Sequence, residues 1–97
     1  MVNYEEAEGR LICHFQGRMD TETSTKIEND VFDQVIRRHL PTVFDLKEVT
    51  FVSSAFFRIC LKAARATKEM KITMRNAPPF VKEGFKITGL DRIMDIQ

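Results

Sequence analysis

Apolar residues in this chain switch repeatedly between alternate spacing and three-to-four-residue spacing. That switching restricts it to folds in which strands and helices take turns. Leu11, Cys13 and Phe15 alternate with Ile12, His14 and Gln16, which reads as a strand ended by Gly17. The residues before it, 2–6, are mixed and give a weak edge strand, with a turn signal at Glu8-Gly9-Arg10. Ile27, Val31 and Val35 then recur every four residues, with Phe32 and Ile36 beside them, the stripe of an amphipathic helix. Asp20, Thr21 and Thr23 are N-cap types ahead of that helix, and Glu22 and Glu28 suit its positive end. Arg37, Arg38 and His39 suit its negative end, and Pro41 stops it.

Residues 42–46 read as a short strand, Lys47-Glu48 as a turn, and 49–52 as an apolar lead into Ser53-Ser54. Residues 55–66 hold four alanines and other strong helix formers, with Arg58, Lys62 and Arg65 as one polar stripe. After a short link, Met70, Ile72 and Met74 alternate with Lys71, Thr73 and Arg75. Asn76-Ala77-Pro78-Pro79 is a turn, with Pro79 suited to the first turn of a helix. Phe80, Val81, Phe85 and Ile87 give a third, short helix with Gly89 as its left-handed end, and Ile93, Met94 and Ile96 a last strand. The order β-β-α-β-α-β-α-β predicts one α/β domain over residues 1–97. Its sheet is mixed but mainly parallel, four to five strands with about three helices, right-handed crossovers and an antiparallel hairpin at one edge.

Composition narrows the function classes. Apolar residues are 43% of the chain and charged residues 30%, a globular balance. The formal net charge of +1 speaks against a dedicated nucleic-acid binder, which needs a cationic excess, although a local basic face is compatible with it. No apolar run reaches the length of a membrane span and no signal-peptide pattern opens the chain. Cys13 and Cys60 are expected to face inward as small core residues of a reducing compartment, which makes the cytoplasm the default location.

Three local motifs in this order resemble the STAS domain of bacterial anti-sigma factor antagonists. Gly17-Arg18-Met19-Asp20 is similar to that family's Gly-x-Leu-Asp between the second strand and the first helix. Val43-Phe44-Asp45-Leu46, followed by Thr50-Phe51-Val52-Ser53-Ser54-Ala55, resembles its strand, turn and serine loop before the second helix. Pro79-Phe80-Val81-Lys82 through Phe85-Lys86-Ile87-Thr88-Gly89-Leu90 resembles its final helix and Gly-Leu ending. The resemblance implies an antagonist that binds an anti-sigma factor when dephosphorylated. It implies phosphorylation by that partner, often a serine kinase, on the serine opening the second helix, and resetting by a phosphatase. Ser54 matches the acceptor, and Ser53 stands where many members carry Asp. The family's Gly-Leu after the position of Ala55 is Phe56-Phe57 here. The second ring is expected to be absorbed in the core and the first to stand one turn from the acceptor, as a block or an anchor.

The serine pair has two physical readings. A serine N-cap accepts a first-turn N–H and contributes about 0.5–2 kcal/mol over alanine. The same helix mouth would also hold a phosphate, which adds charge and acceptors to the surface while the fold survives. Asp20 is read likewise as an N-cap, or with Thr21 and Thr23 as part of a partner surface beside the serine loop. The expected partner-binding set is Asp20, Thr21, Thr23, Ser53, Ala55, Phe56, Arg58 and Lys62. Asp45 either orients the Ser54 hydroxyl or satisfies loop N–H groups, the second being preferred.

Enzyme readings fare poorly. Cys13 and His14 are adjacent on a strand and point to opposite faces, and His39 reads as a complement to a helix end. The chain shows no phosphate-binding glycine loop and no metal-spaced Cys/His set, so no metal, cofactor or catalysis is expected. The competing readings are a STAS scaffold or small subunit of a transport or signalling complex that is never phosphorylated, and a small enzyme of unrecognised type. No nucleic acid and no membrane insertion are expected, and a weak homodimer is compatible with either STAS reading.

Overall fold

The computed structural model describes residues 1–67 and 70–97. Lys68 and Glu69, in the short link expected after the second helix, lie outside the described residues. Strands β1 (Val2–Ala7) and β2 (Arg10–Met19) form an antiparallel hairpin, turned by Glu8 and Gly9 with φ of 55° and 73°. Two successive positive φ values are the primed turn that matches strand twist, and Gly9 supplies one of them without strain. Helix α1 (Thr21–Arg38), β3 (Thr42–Val52), α2 (Ser54–Ala66), β4 (Ile72–Arg75), α3 (Pro79–Thr88) and β5 (Met94–Ile96) follow, with a 3-10 turn at Leu90–Arg92.

The five strands lie in sequence order, and β2 to β5 are parallel. Each right-handed crossover therefore advances one strand in the same direction, which puts all three helices on one face of the sheet. Leu11, Cys13, Phe15, Phe44, Leu46, Ile72, Met74 and Met94 point into that helix layer and are fully buried. The opposite face carries polar groups in register: His14 pairs with Asp45 and Asp45 with Arg75.

Strand boundaries differ from expectation, first in β2 and β3, and β4 begins at Ile72 rather than Met70. Gly17 does not end β2, and Lys47-Glu48 is no turn. Instead β3 runs unbroken past two register shifts against β2, one between His14 and Gln16 and one between Gly17 and Arg18. At each shift β3 spends one more residue than β2, the geometry of a bulge. Leu46, Val49 and Val52 are three apart, and all three still reach the core because each bulge resets the alternation. Gly17 sits there with φ of 85°.

The helices follow the expected stripes, with one exception. Val31 and Val35 are buried and Ile27 is half-buried, whereas Ile36 is exposed on the outer side of α1. His39 closes α1 in the left-handed region with its N–H on Val35 O, and Gly89 closes α3 the same way at φ 79°. The C-terminal strand begins at Met94 rather than Ile93, which is partly exposed.

Candidate site at the start of the second helix

The backbone brings the starts of two helices together. Val52 pairs with Met19 at the end of the β2–β3 ladder, and Ser53 N donates to Met19 O at 2.9 Å. Asp20 follows Met19 and caps α1, while Ser53 occupies the N-cap position of α2. Both helix mouths thus open at the C-terminal end of the same two strands.

Asp20 acts as the cap its residue type suggests. Its Oδ1 accepts the Thr23 N–H at 2.9 Å, and this bond holds the carboxyl below its ordinary pKa, with Arg18 a weaker contributor. Thr21 is exposed and Thr23 half-buried. Arg18 lies with Nε 4.0 Å from Asp20 Oδ2 and its guanidinium 4.4 Å from the centre of the Phe51 ring. Residue type alone marks neither Arg18 nor Phe51 as part of a site. They face each other only because β2 and β3 pair in the register Arg18↔Phe51, which sequence alone does not give.

Ser53 departs from the capping reading. It is extended at φ −112° and ψ 172°, and its carbonyl accepts from Phe56 N at 3.0 Å and Phe57 N at 3.3 Å. Its hydroxyl makes no cap bond. Ser53 Oγ is buried and, among the described residues, has no hydrogen-bond partner. Ser54 is the first residue of α2 and is exposed. A helix start leaves its first N–H groups without partners in the helix. An exposed hydroxyl therefore stands at a helix mouth that no acidic side chain of the first turn occupies.

Ala55 and Phe56, expected on the partner surface, are instead buried, Phe56 to 0% exposure. The Phe56 ring meets Phe15 edge-on at 5.2 Å between centroids, and Phe15 meets Phe44 at 5.0 Å. The expectation for Phe56 is overturned, while Phe57 packs against the core as expected. Phe56, at the position of the family's glycine, is the core residue. Phe57 is half-buried, lies edge-on to Phe85 at 5.0 Å and covers Gly84 of α3. A Cβ at Gly84 would stand 2.6 Å from the Phe57 ring, so the ring needs glycine opposite it. The helical repeat did hold this answer: Phe56, Ile59, Cys60 and Ala63 form one buried stripe opposite Arg58, Lys62 and Arg65.

Arg58 and Lys62 are not simply solvated. Both reach Glu28 of α1, Arg58 Nη2 at 3.2 Å and Lys62 Nζ at 3.5 Å, and Lys62 Nζ also lies 4.5 Å from the centre of the Phe32 ring. Glu28 thereby clamps α1 to α2, a role hidden in sequence by the thirty residues between Glu28 and Arg58. Asp45 serves its own loop. Oδ1 accepts Lys47 N at 3.0 Å and Asn76 Nδ2 at 3.3 Å, and Oδ2 accepts Arg75 Nε at 3.2 Å. Burial works against its charge, but these donors outweigh burial and hold its carboxyl below the ordinary range. Cys13 and Cys60 are both buried, and burial pushes the Cys13 thiol up to about 12 and the Cys60 thiol higher. Cys13 faces the helix layer, while His14 faces the open side of the sheet, its Nε2 2.8 Å from Glu5 Oε1. Among the described residues no helix is long and apolar enough to cross a membrane.

Comparisons with known proteins agree with this architecture. BtrV of Bordetella bronchiseptica, a candidate anti-sigma factor antagonist, is 26% identical over 97 residues, which is 98% of this chain and 84% of BtrV. A candidate anti-sigma factor antagonist from Thermotoga maritima has a similar structure, with a TM-score of 0.87 at 16% identity, over 98% of this chain and 84% of that one. The Bacillus cell-fate determinant SpoIIAA in its phosphorylated form superposes with a TM-score of 0.72 at 14% identity, over 100% of this chain and 91% of SpoIIAA. A family model for the STAS domain matches residues 1–97, and the chain belongs to the STAS domain family.

Proposed function

We propose that this chain is a protein-interaction module of the anti-sigma factor antagonist kind, switched by phosphorylation of Ser54. The observation that carries the reading is the exposed Ser54 hydroxyl at the mouth of α2, where neither Ser53 nor a first-turn acid fills the terminus. The names of BtrV and the phosphorylated state of SpoIIAA support it. In this reading the dephosphorylated chain binds an anti-sigma factor that is also a serine kinase, and a phosphatase restores the binding form. It acts in the cytoplasm as one STAS unit over residues 1–97, as a binding partner rather than an enzyme.

The physics of the switch is local. A phosphate on Ser54 adds about −1.5 to −2 charges and three acceptor oxygens. The free N–H groups and positive end of α2 hold it, so the fold tolerates it. Arg58 lies four residues on, along the same helix face, and offers a cation one turn away. Lys62 remains to hold Glu28. A partner docked over the loop must desolvate this added charge and meets its repulsion, on a scale of about 2–5 kcal/mol, or roughly thirty-fold to several-thousand-fold in affinity. The scaffold alternative rested on Phe56 crowding the acceptor, and that ring lies in the core.

Incubation with a cognate anti-sigma kinase and ATP tests the reading. The expected result is one phosphate on Ser54, absent in Ser54→Ala, retained in Ser53→Ala, with partner affinity lost on labelling. Stable binding of the kinase without phosphate transfer would favour the scaffold.

A further inference from the structure

Charge is unevenly divided along this near-neutral chain. Residues 1–57 hold six Lys or Arg against ten Asp or Glu, while residues 58–97 hold nine against four. Because the strands lie in sequence order, a division along the sequence becomes a division in space. The α2–β4–α3–β5 side is cationic. Among the described residues three of its cations are engaged: Arg58 and Lys62 with Glu28, and Arg75 with Asp45. Arg65 and Lys71 are in no ion pair among the described residues.

Those two cations flank a groove of about 510 Å³ between the second half of α2 and the turn joining α3 to β5. Its apolar lining is Leu61, Ala64, Leu90 and Ile93, and Ile93 is 38% exposed although it is aliphatic. We propose that this groove is a second docking site, for an acidic amphipathic helix of a protein partner. Aliphatic side chains lining a concave surface select apolar knobs at i, i+3 or i+4, and i+7. The cationic rim selects Asp or Glu beside those knobs and sets the helix direction by charge. A flat anionic membrane would leave such a recess unfilled, since interfacial binding needs protruding apolar side chains.

The site is separate from the serine loop and does not rest on its phosphorylation. Leu61 and Ala64 follow Ser54 by seven and ten helical residues, about 10–15 Å along the axis. That is beyond the screening length of about 8 Å at physiological salt. Charge added at Ser54 therefore leaves this groove's affinity unchanged, and the two surfaces can be occupied together.

The test titrates the ¹⁵N-labelled full chain with a synthetic amphipathic peptide bearing a leucine stripe flanked by glutamates. A matched peptide flanked by lysines and vesicles of phosphatidylglycerol and phosphatidylcholine run in parallel. Shift changes are expected around Leu61, Ala64, Leu90 and Ile93 with the acidic peptide alone, and its affinity should fall as salt rises. Arg65→Glu combined with Lys71→Glu should weaken it at least tenfold. Ile93→Asn should weaken it with the charges intact, and Ser54→Asp should leave it unchanged. Circular dichroism and thermal unfolding verify that each variant folds. The proposal is overturned by no binding of either peptide, equal binding of the lysine peptide, undiminished binding by the charge-reversed variant, shifts mapping to the serine loop, or vesicle binding through the groove. It is also overturned by a concentration-dependent shift of the groove without peptide, which would assign it to a second copy of the chain.

Discussion

The two helix mouths that share one end of the sheet are built by different means. At α1 a carboxylate closes the terminus, with Asp20 Oδ1 on Thr23 N–H. At α2, among the described residues, no side chain does, and the Ser53 hydroxyl is buried without a partner. What fixes the start of α2 is apolar: Ala55 and Phe56 enter the core immediately behind Ser54. A terminus anchored by packing can leave its N–H groups for an incoming anion. A terminus whose cap carboxylate already takes an N–H and places negative charge there is less favourable to a second anion. The difference assigns a structural task to Asp20 and leaves the chemical opportunity to Ser54.

The comparison breaks first if α2 proves indifferent to its packing. Phe56→Ala removes a ring with 0% exposure that meets Phe15 edge-on, and such truncations cost about 3–5 kcal/mol. For a domain of this size that is a large share of a total near 5–15 kcal/mol. Urea unfolding should show a midpoint far below the parent. A loss under about 1 kcal/mol would mean that α2 is not held this way.

Asp20→Ala should cost less, since it removes one N-cap hydrogen bond and leaves the core intact. Its signature is pH dependence. The carboxyl is held below its ordinary pKa, so its contribution is complete above the unfolded value near 4 and is lost as pH falls through the folded value. Parent and Asp20→Ser should therefore differ most in their pH profile below about pH 4, since serine caps without titrating. Thermal melts across pH 2–7 check this, and parallel profiles would remove the carboxylate from the account.

Much of this could be seen in the sequence, and the misses share a cause. Element order, the caps at Asp20 and Gly89 and the inward cysteines follow from residue type and local spacing, which act over one turn or one strand. In place of the break expected at Lys47-Glu48 the strand has one bulge there and a second at Thr50, and bulges depend on how the neighbouring strand pairs. The Glu28 clamp joins residues thirty or more apart. Comparison with a Gly-Leu pattern misplaces Phe56, which lies in the core, but not Phe57, which packs against it. The helical repeat, with the polar stripe of Arg58, Lys62 and Arg65 on the far side, placed Phe56 correctly. At the site, the accessibility of Ser54 was legible for the same reason, since it shares that polar side. The burial of the Ser53 hydroxyl, without a partner among the described residues, was not legible, because burial at a strand end depends on tertiary packing.

A smaller effect is expected from Ser54→Asp. A carboxylate in the first turn of a helix contributes about 0.3–1 kcal/mol at low salt. Nothing acidic in the first turn of α2 competes for that position. The variant should therefore unfold at a slightly higher temperature than the parent, and added salt should erase the gain. The same change at Thr21, the first residue of α1, should give less, because Asp20 and Glu22 already place negative charge there. Equal gains at both positions would show that the two mouths are electrostatically alike.

The smallest expected effect separates the two serines. Ser53→Ala removes a buried hydroxyl with no partner among the described residues, so it forfeits no cap bond. An unsatisfied buried polar group costs about 1–3 kcal/mol when nothing compensates it. Its removal should leave stability unchanged or raise it by up to about 1 kcal/mol, measured as a shift of the urea midpoint at constant slope. A loss of more than about 1 kcal/mol would mean that Ser53 caps α2 in solution. The second mouth would then be filled by its own residue, as the first is, and a phosphate on Ser54 would have to displace that hydroxyl before the helix could hold it.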